Sequence, residues 1–209
     1  MKPFNTPKNK LVVGGGNGGS ITLAVVVVCI VFAMYIMYFC SVRQYNIENS
    51  KSYSSGGRIF KIHNAHENQE KALSILTEVD KKIKLFIANF PDKKVTEKYH
   101  SIEFYENSPH SGSTSYVTDD MIALCIRDEY GEFHDMNTVT FVALHELSHI
   151  ATDDDEEDHG NTYWTNFANI LRKAESLGII ELIDYKNNPV RYCGVEITSN
   201  PGLHIPKLK

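Results

Sequence analysis

Thr138 to Ala151 reads TVTFVALHELSHIA, a run without Gly or Pro. Inside it, His145-Glu146-Leu147-Ser148-His149 is an H-E-x-x-H match. Residues four apart stack on one face of a helix, so both imidazoles reach one zinc ion while Glu146, one position on, stands beside the attacking water. Ala143, Leu144, Leu147, Ile150 and Ala151 fall on the side away from the two histidines, and Thr138, Phe141, Val142 and Ser148 share the histidine face. That periodicity predicts a helix packed on a core. Asp135 or Asn137 is its expected N-cap, about two turns before His145. The bland alternative is a buried helix that happens to carry two histidines.

A catalytic zinc site takes three protein ligands and keeps one position open. The third ligand is expected to be His159, in DHGNTYW, just before a second helical pattern from Asn161 or Thr162 to Leu177. Trp164, Phe167, Ile170, Leu171, Ala174 and Leu177 form its apolar stripe and Gly178 ends it. A surface loop histidine is the competing reading of His159. The longer pattern H-E-x-x-H-x-x-G-x-x-H fails, because Thr152 stands at the glycine and Asp155 at the third histidine. Glu175, well inside the second helix but near its end, is a further candidate ligand ranked below His159.

Between the proposed second and third ligands runs Asp153-Asp154-Asp155-Glu156-Glu157-Asp158. Six acids after a helix C-terminus repel one another and the helix dipole. They read as a solvated loop or, functionally, as a negative rim favouring basic peptides or lending a carboxylate to the metal.

HELSHI followed by DHGNTYW resembles the WLM and SprT-like zinc peptidases, in which an HELxH helix precedes a third histidine in an H-x-x-x-F/Y-W type segment, here His159, Tyr163 and Trp164. The resemblance covers about Ile102 to Asn200 and is strongest from Leu144 to Trp164; the acidic insertion departs from it. MIALCIRD (Met121 to Asp128) and DYKNNPVRYCGVEI (Asp184 to Ile197) also resemble WLM-like proteins of large DNA viruses. The resemblance implies a peptidase acting on proteins, in that family often ones crosslinked to DNA.

Ile21 to Phe39, ITLAVVVVCIVFAMYIMYF, has no charge and no proline. Nineteen helical residues would rise about 28 Å, against a hydrocarbon core of about 30 Å, so a transmembrane helix is expected. Its length and late start, and the want of a small-x-small cleavage site, argue against a signal peptide. Tyr35, Tyr38 and Phe39 suit an interfacial anchor. Orientation stays open, because Lys2, Lys8 and Lys10 before the run balance Arg43, Lys51 and Arg58 after it. The chain has no N-x-S/T acceptor, which leans toward a catalytic domain shielded from glycosylation. This reading makes the chain a single-pass membrane protein, in a host or virion membrane if viral.

Gly14 to Gly19 matches G-x-G-x-x-G, but no amphipathic helix follows and no acid appears before Glu48, so a dinucleotide site is rejected. Residues 1–20 read as a disordered tail and the polar, Ser/Gly-rich stretch 41–58 as a tether. Residues 59–209 then suit one domain. Three of the 21 Lys and Arg precede Cys40 and none of the 26 acids does, leaving about −8 on the remainder, which argues against high-affinity nucleic-acid binding. Cys29 and Cys40 belong to the apolar run and its edge; Cys125 and Cys193 are either one disulfide or two buried thiols.

His66 to Asn89 reads as an amphipathic helix with Leu73, Leu76, Val79, Ile83 and Phe86 or Ile87 on its stripe and Pro91 beyond its end. Strands are expected at Ser101–Tyr105, Ser115–Thr118 and Met121–Ile126. The fold class is therefore α+β: an N-terminal transmembrane helix followed by a minimal zincin-like domain. Met121–Ile126 is the expected edge strand that binds an extended peptide by strand addition.

The function read from these parts is zinc-dependent peptide hydrolysis. His145, His149 and His159 hold Zn²⁺, which brings the pKa of a water toward about 7, and Glu146 takes its proton and passes it to the leaving amine. An oxyanion donor is sought among Tyr163, Tyr185, Tyr192, His110 and His204; His134 reads equally as a surface residue. The alternatives are a non-catalytic, membrane-anchored zincin-fold assembly protein, which the intact Glu146 opposes, and a DNA-protein crosslink protease, which the acidic charge opposes. Substrate and oligomeric state are left open.

Overall fold

The computed structural model describes residues 25–38, 40, 49–111, 114–118, 120–152 and 159–205. The chain divides into two compact units, Met1–Arg43 and Gln44–Lys209.

In the first unit, the run expected to cross a membrane is helical over its described residues 25–38. Among the described residues no helix is long and apolar enough to cross a membrane. The expected transmembrane helix and the single-pass localisation are corrected accordingly. The tail 1–20 with its glycine motif, and the acidic run 153–158, lie outside the described residues.

The second unit is α+β. Its main sheet has five strands in the order β1-β2-β3-β5-β4: β1 (Ser50–Ser55), β2 (Arg58–His63), β3 (Glu103–Glu106), β4 (Tyr116–Val117) and β5 (Met121–Leu124). β1 and β2 pair antiparallel through Gly56 and Gly57, both at positive φ (57° and 78°), as a two-residue type I′ turn demands. The stretch read as a tether thus contains a strand, because its pleat lets Tyr53 face Phe60 and donate its hydroxyl to Gln69 Oε1 at 3.0 Å.

β2 and β3 are parallel and so need a crossover. Two helices fill it: α1 (Gln69–Ala88) and α2 (Lys93–Ser101). The sequence pattern predicts α1 and misses α2, which the Asp92 side chain caps through Val95 N at 3.0 Å. β5 runs parallel to β3 on one side and antiparallel to β4 on the other. It is therefore an inner strand, and β4 takes the edge that had been assigned to Met121–Ile126. All four β5 residues are buried; Ile122 and Leu124 join the main core, while Met121 and Ala123 pack with Tyr105 and Tyr116 on the other face.

α3 (Met136–Ala151) is the central helix, packed against α1, α2, β4, β5 and α4 (Asn161–Ser176). Of its two expected caps the structure selects Asp135, whose Oδ1 accepts from Thr138 N at 2.9 Å. α4 stops at Gly178 (φ 67°), where Gly178 N donates to Glu175 O and Ile179 N to Ala174 O, a Schellman closure that buries Ile179. A hairpin of β6 (Val190–Tyr192) and β7 (Val195–Ile197) and the short α5 (Pro201–His204) complete the unit.

Two buried ion pairs tie the layers. Arg58 Nε lies 2.7 Å from Asp80 Oδ1 and its guanidinium stacks 4.3 Å above the Tyr99 ring. Arg127 Nε lies 2.7 Å from Glu106 Oε1, with both side chains at most 3% exposed.

Candidate metal centre

Helix geometry alone places His145 and His149 on one face of α3, one turn apart. The contribution of α4 comes from the residue that precedes it: His159 sits at φ 61°, a left-handed conformation uncommon outside glycine. That bend turns its ring toward α3. The Nε2 atoms of His149 and His159 lie 3.4 Å and 3.3 Å from Nε2 of His145, and the three ligand atoms all fall within 4.8 Å of one another. Three nitrogens at 2.0–2.1 Å from one tetrahedral zinc would stand about 3.4 Å apart. The donor set and its spacing therefore fit that metal.

The surroundings fix the rings. Tyr163, one turn into α4 and 1% exposed, brings its hydroxyl oxygen to 2.6 Å from Nδ1 of His145 and 3.3 Å from the His145 carbonyl. With Nε2 turned to the shared point, Nδ1–H donates to the tyrosine oxygen and the tyrosine O–H donates to that carbonyl. Such an outer partner sets the tautomer of a ligating imidazole. Burial, then the neighbouring His149 and His159, push the His145 pKa down to about 3, so this ring stays neutral and its lone pair free. Glu146, 4% exposed, lines the same cleft.

That cleft is about 1030 Å³ and runs between the edge strand β4 and the hairpin strand β7, with the three histidines and Glu146 on its floor. Lys94 and Lys98 of α2 stand along one side, and Lys94 Nζ donates to Thr152 O at 3.1 Å, where α3 ends. Neither lysine stands out in the sequence, because α2 is too short to show a clear period. Asp92 at its cap and Val95 and Tyr99 one turn apart are the signal that would have found it.

Of the five proposed oxyanion donors, Tyr163 and Tyr192 line the cleft. Tyr192 is 1% exposed; burial pushes its pKa up, with a further rise from the charge of Glu146, and its hydroxyl is 2.8 Å from Ser115 Oγ. The others point elsewhere. Tyr185 packs on Phe141, ring centroids 5.1 Å apart, His204 pairs with Asp184 at 3.7 Å, and His110 acts electrostatically on His66. Glu175 is exposed beside Arg172 and Leu203, away from the histidines. His134 is half-buried against Cys193 and so is no surface residue. Cys125 and Cys193 are joined as a disulfide.

An α+β unit with an H-E-x-x-H helix and a third histidine facing it is the class that fold and site define. The chain is similar to a protein of Acanthamoeba polyphaga mimivirus described as uncharacterised, 34% identical over 145 residues that make up 62% of this chain and 73% of that protein. It belongs to the family of that viral protein. No family model matches the chain, and no solved structure matches it.

Proposed function

We propose that this domain is a zinc-dependent metallopeptidase of the WLM/SprT-like, zincin type. The observation that carries the reading is the convergence of three imidazoles, with Nε2 of His149 and of His159 3.4 Å and 3.3 Å from Nε2 of His145, in a cleft that Glu146 also lines. When bound, zinc supplies a Lewis acid that acidifies water and polarises the scissile carbonyl. His145, His149 and His159 would hold it, with Tyr163 orienting the first. Glu146 accepts the proton of the attacking water and delivers it to the leaving amine. Its burial beside Tyr192 keeps bulk water from competing for that proton. An extended peptide suits the groove, since β4, last in the strand order, lines one wall, where strand addition would place it.

The first test is metal content. Purified chain is expected to carry one zinc at the three histidines, and His159→Ala to lose it while keeping its circular-dichroism spectrum. A chain that takes up no zinc at these residues would overturn the proposal; zinc without cleavage across a peptide library would favour the non-catalytic reading. Tyr163→Phe keeps the ring and removes the oxygen that receives Nδ1–H of His145. It is expected to weaken zinc binding by about 10- to 100-fold, the usual effect of losing such a partner, measured by competition with a chromophoric chelator. An unchanged affinity would mean that packing alone orients His145.

A further inference from the structure

We infer that Cys125, His134 and Cys193 form a second metal site, separate from the three histidines, which takes Zn²⁺ when the cysteines are reduced. Their ligand atoms lie within 4.8 Å of one another, and His134 Nε2 is 3.3 Å from Cys193 Sγ. A disulfide needs no third donor, yet an imidazole is held against this one. The His134 backbone N–H donates to Ile126 O at 3.0 Å, and its ring lies 4.8 Å from that of Tyr192. Two thiolates and one imidazole are a zinc donor set. They also neutralise the ion, which matters where Cys125 is 0% and Cys193 8% exposed, because an uncompensated buried charge is costly.

Backbone strain gives an independent sign. Cys193 and Gly194 turn the β6–β7 hairpin at φ 47° and 83°, and the first of these positions ordinarily takes Asn, Asp or Gly. A cysteine held there against its preference persists when its side chain is needed in place. On a further side the Arg127 carbonyl oxygen lies 3.1 Å and 3.2 Å from the two sulfurs, so a fourth ligand is a backbone oxygen or a water.

The two states exclude each other. A phosphine reductant and water convert the disulfide into two thiols and a phosphine oxide, and the thiols release two protons as Zn²⁺ binds. Oxidised glutathione reverses this: the two thiolates of the site lose two electrons to form the Cys125–Cys193 bond, two glutathione thiolates leave, and Zn²⁺ is freed. Either state fastens the hairpin, with Tyr192 and the β7 wall of the cleft, to the chain just beyond β5.

The test uses full-length, metal-stripped protein with Cys29→Ser and Cys40→Ser, titrated with Co²⁺ and then Zn²⁺. Two metals per chain are expected under phosphine and one fewer after oxidised glutathione. A thiolate-to-cobalt charge-transfer band is expected only under phosphine. Cys193→Ser should abolish that band, and His134→Ala, which can still form the disulfide, should weaken Co²⁺ binding at this site at least 10-fold. His159→Ala should leave the band intact, which separates this site from the three-histidine site. Absence of the band under phosphine, or a band indifferent to His134→Ala, would overturn the inference.

Discussion

Glu146→Gln is expected to keep its zinc and lose about 10²- to 10⁴-fold in kcat/KM for peptide hydrolysis, the range a positioned general base contributes. The substitution is nearly isosteric, so a side chain 4% exposed is replaced without opening a cavity. It removes the ability to accept a proton and little else. None of the three converging nitrogens belongs to residue 146, which is why metal content should be untouched. Initial rates on a quenched fluorescent peptide library, with zinc quantified on the same samples, decide the matter. Full activity would move the base elsewhere in the cleft. Loss of zinc would make Glu146 a ligand.

The central helix was legible because two independent signals coincide on it: the i, i+4 histidines and the apolar positions opposite them. α4 was legible for a similar reason, with Gly178 marking its end. His159 could be named from its place before Asn161, but its approach to His145 depends on a φ of 61° that no periodicity encodes. Edge and inner strands are hard to tell apart because a four-residue run such as Met121–Leu124, buried on both faces, looks the same in sequence wherever it sits; its neighbours are set by its pairing with β3 on one side and β4 on the other. α2 is hard to see in sequence since Pro91 reads as a stop and nine residues offer little more than two turns of pattern. Ser50–Ser55 is polar because only one of its faces packs, and composition alone cannot separate such a strand from a linker. The apolar run at 21–39 shows the opposite failure. Hydropathy reads as a membrane span, whereas among the described residues no helix is long and apolar enough to cross a membrane.

The largest effect on stability should come from the buried ion pair at the end of β3. Glu106→Ala is expected to lower the unfolding free energy by about 3–5 kcal/mol, as removal of one member of a buried pair does. Glu106 ends β3, and its two oxygens serve different partners: Oε1 meets Arg127 Nε at 2.7 Å and Oε2 accepts from His63 N at 3.0 Å. Truncation therefore strands a guanidinium whose side chain is 3% exposed and leaves the β2 terminus without that acceptor. The Phe133 ring, 4.2 Å below Arg127, cannot replace a carboxylate. Arg127 also donates to the Glu67 and Asn68 carbonyls that lead into α1, so its release loosens the start of that helix as well. Urea unfolding followed by far-ultraviolet circular dichroism is the measurement, with the midpoint falling at unchanged slope. The double variant Glu106→Leu/Arg127→Met separates two explanations. If the cost is the orphaned charge, apolar replacement of both partners recovers most of the loss; if it is the tie between β3, β5 and α1, the double variant stays as unstable as the single one.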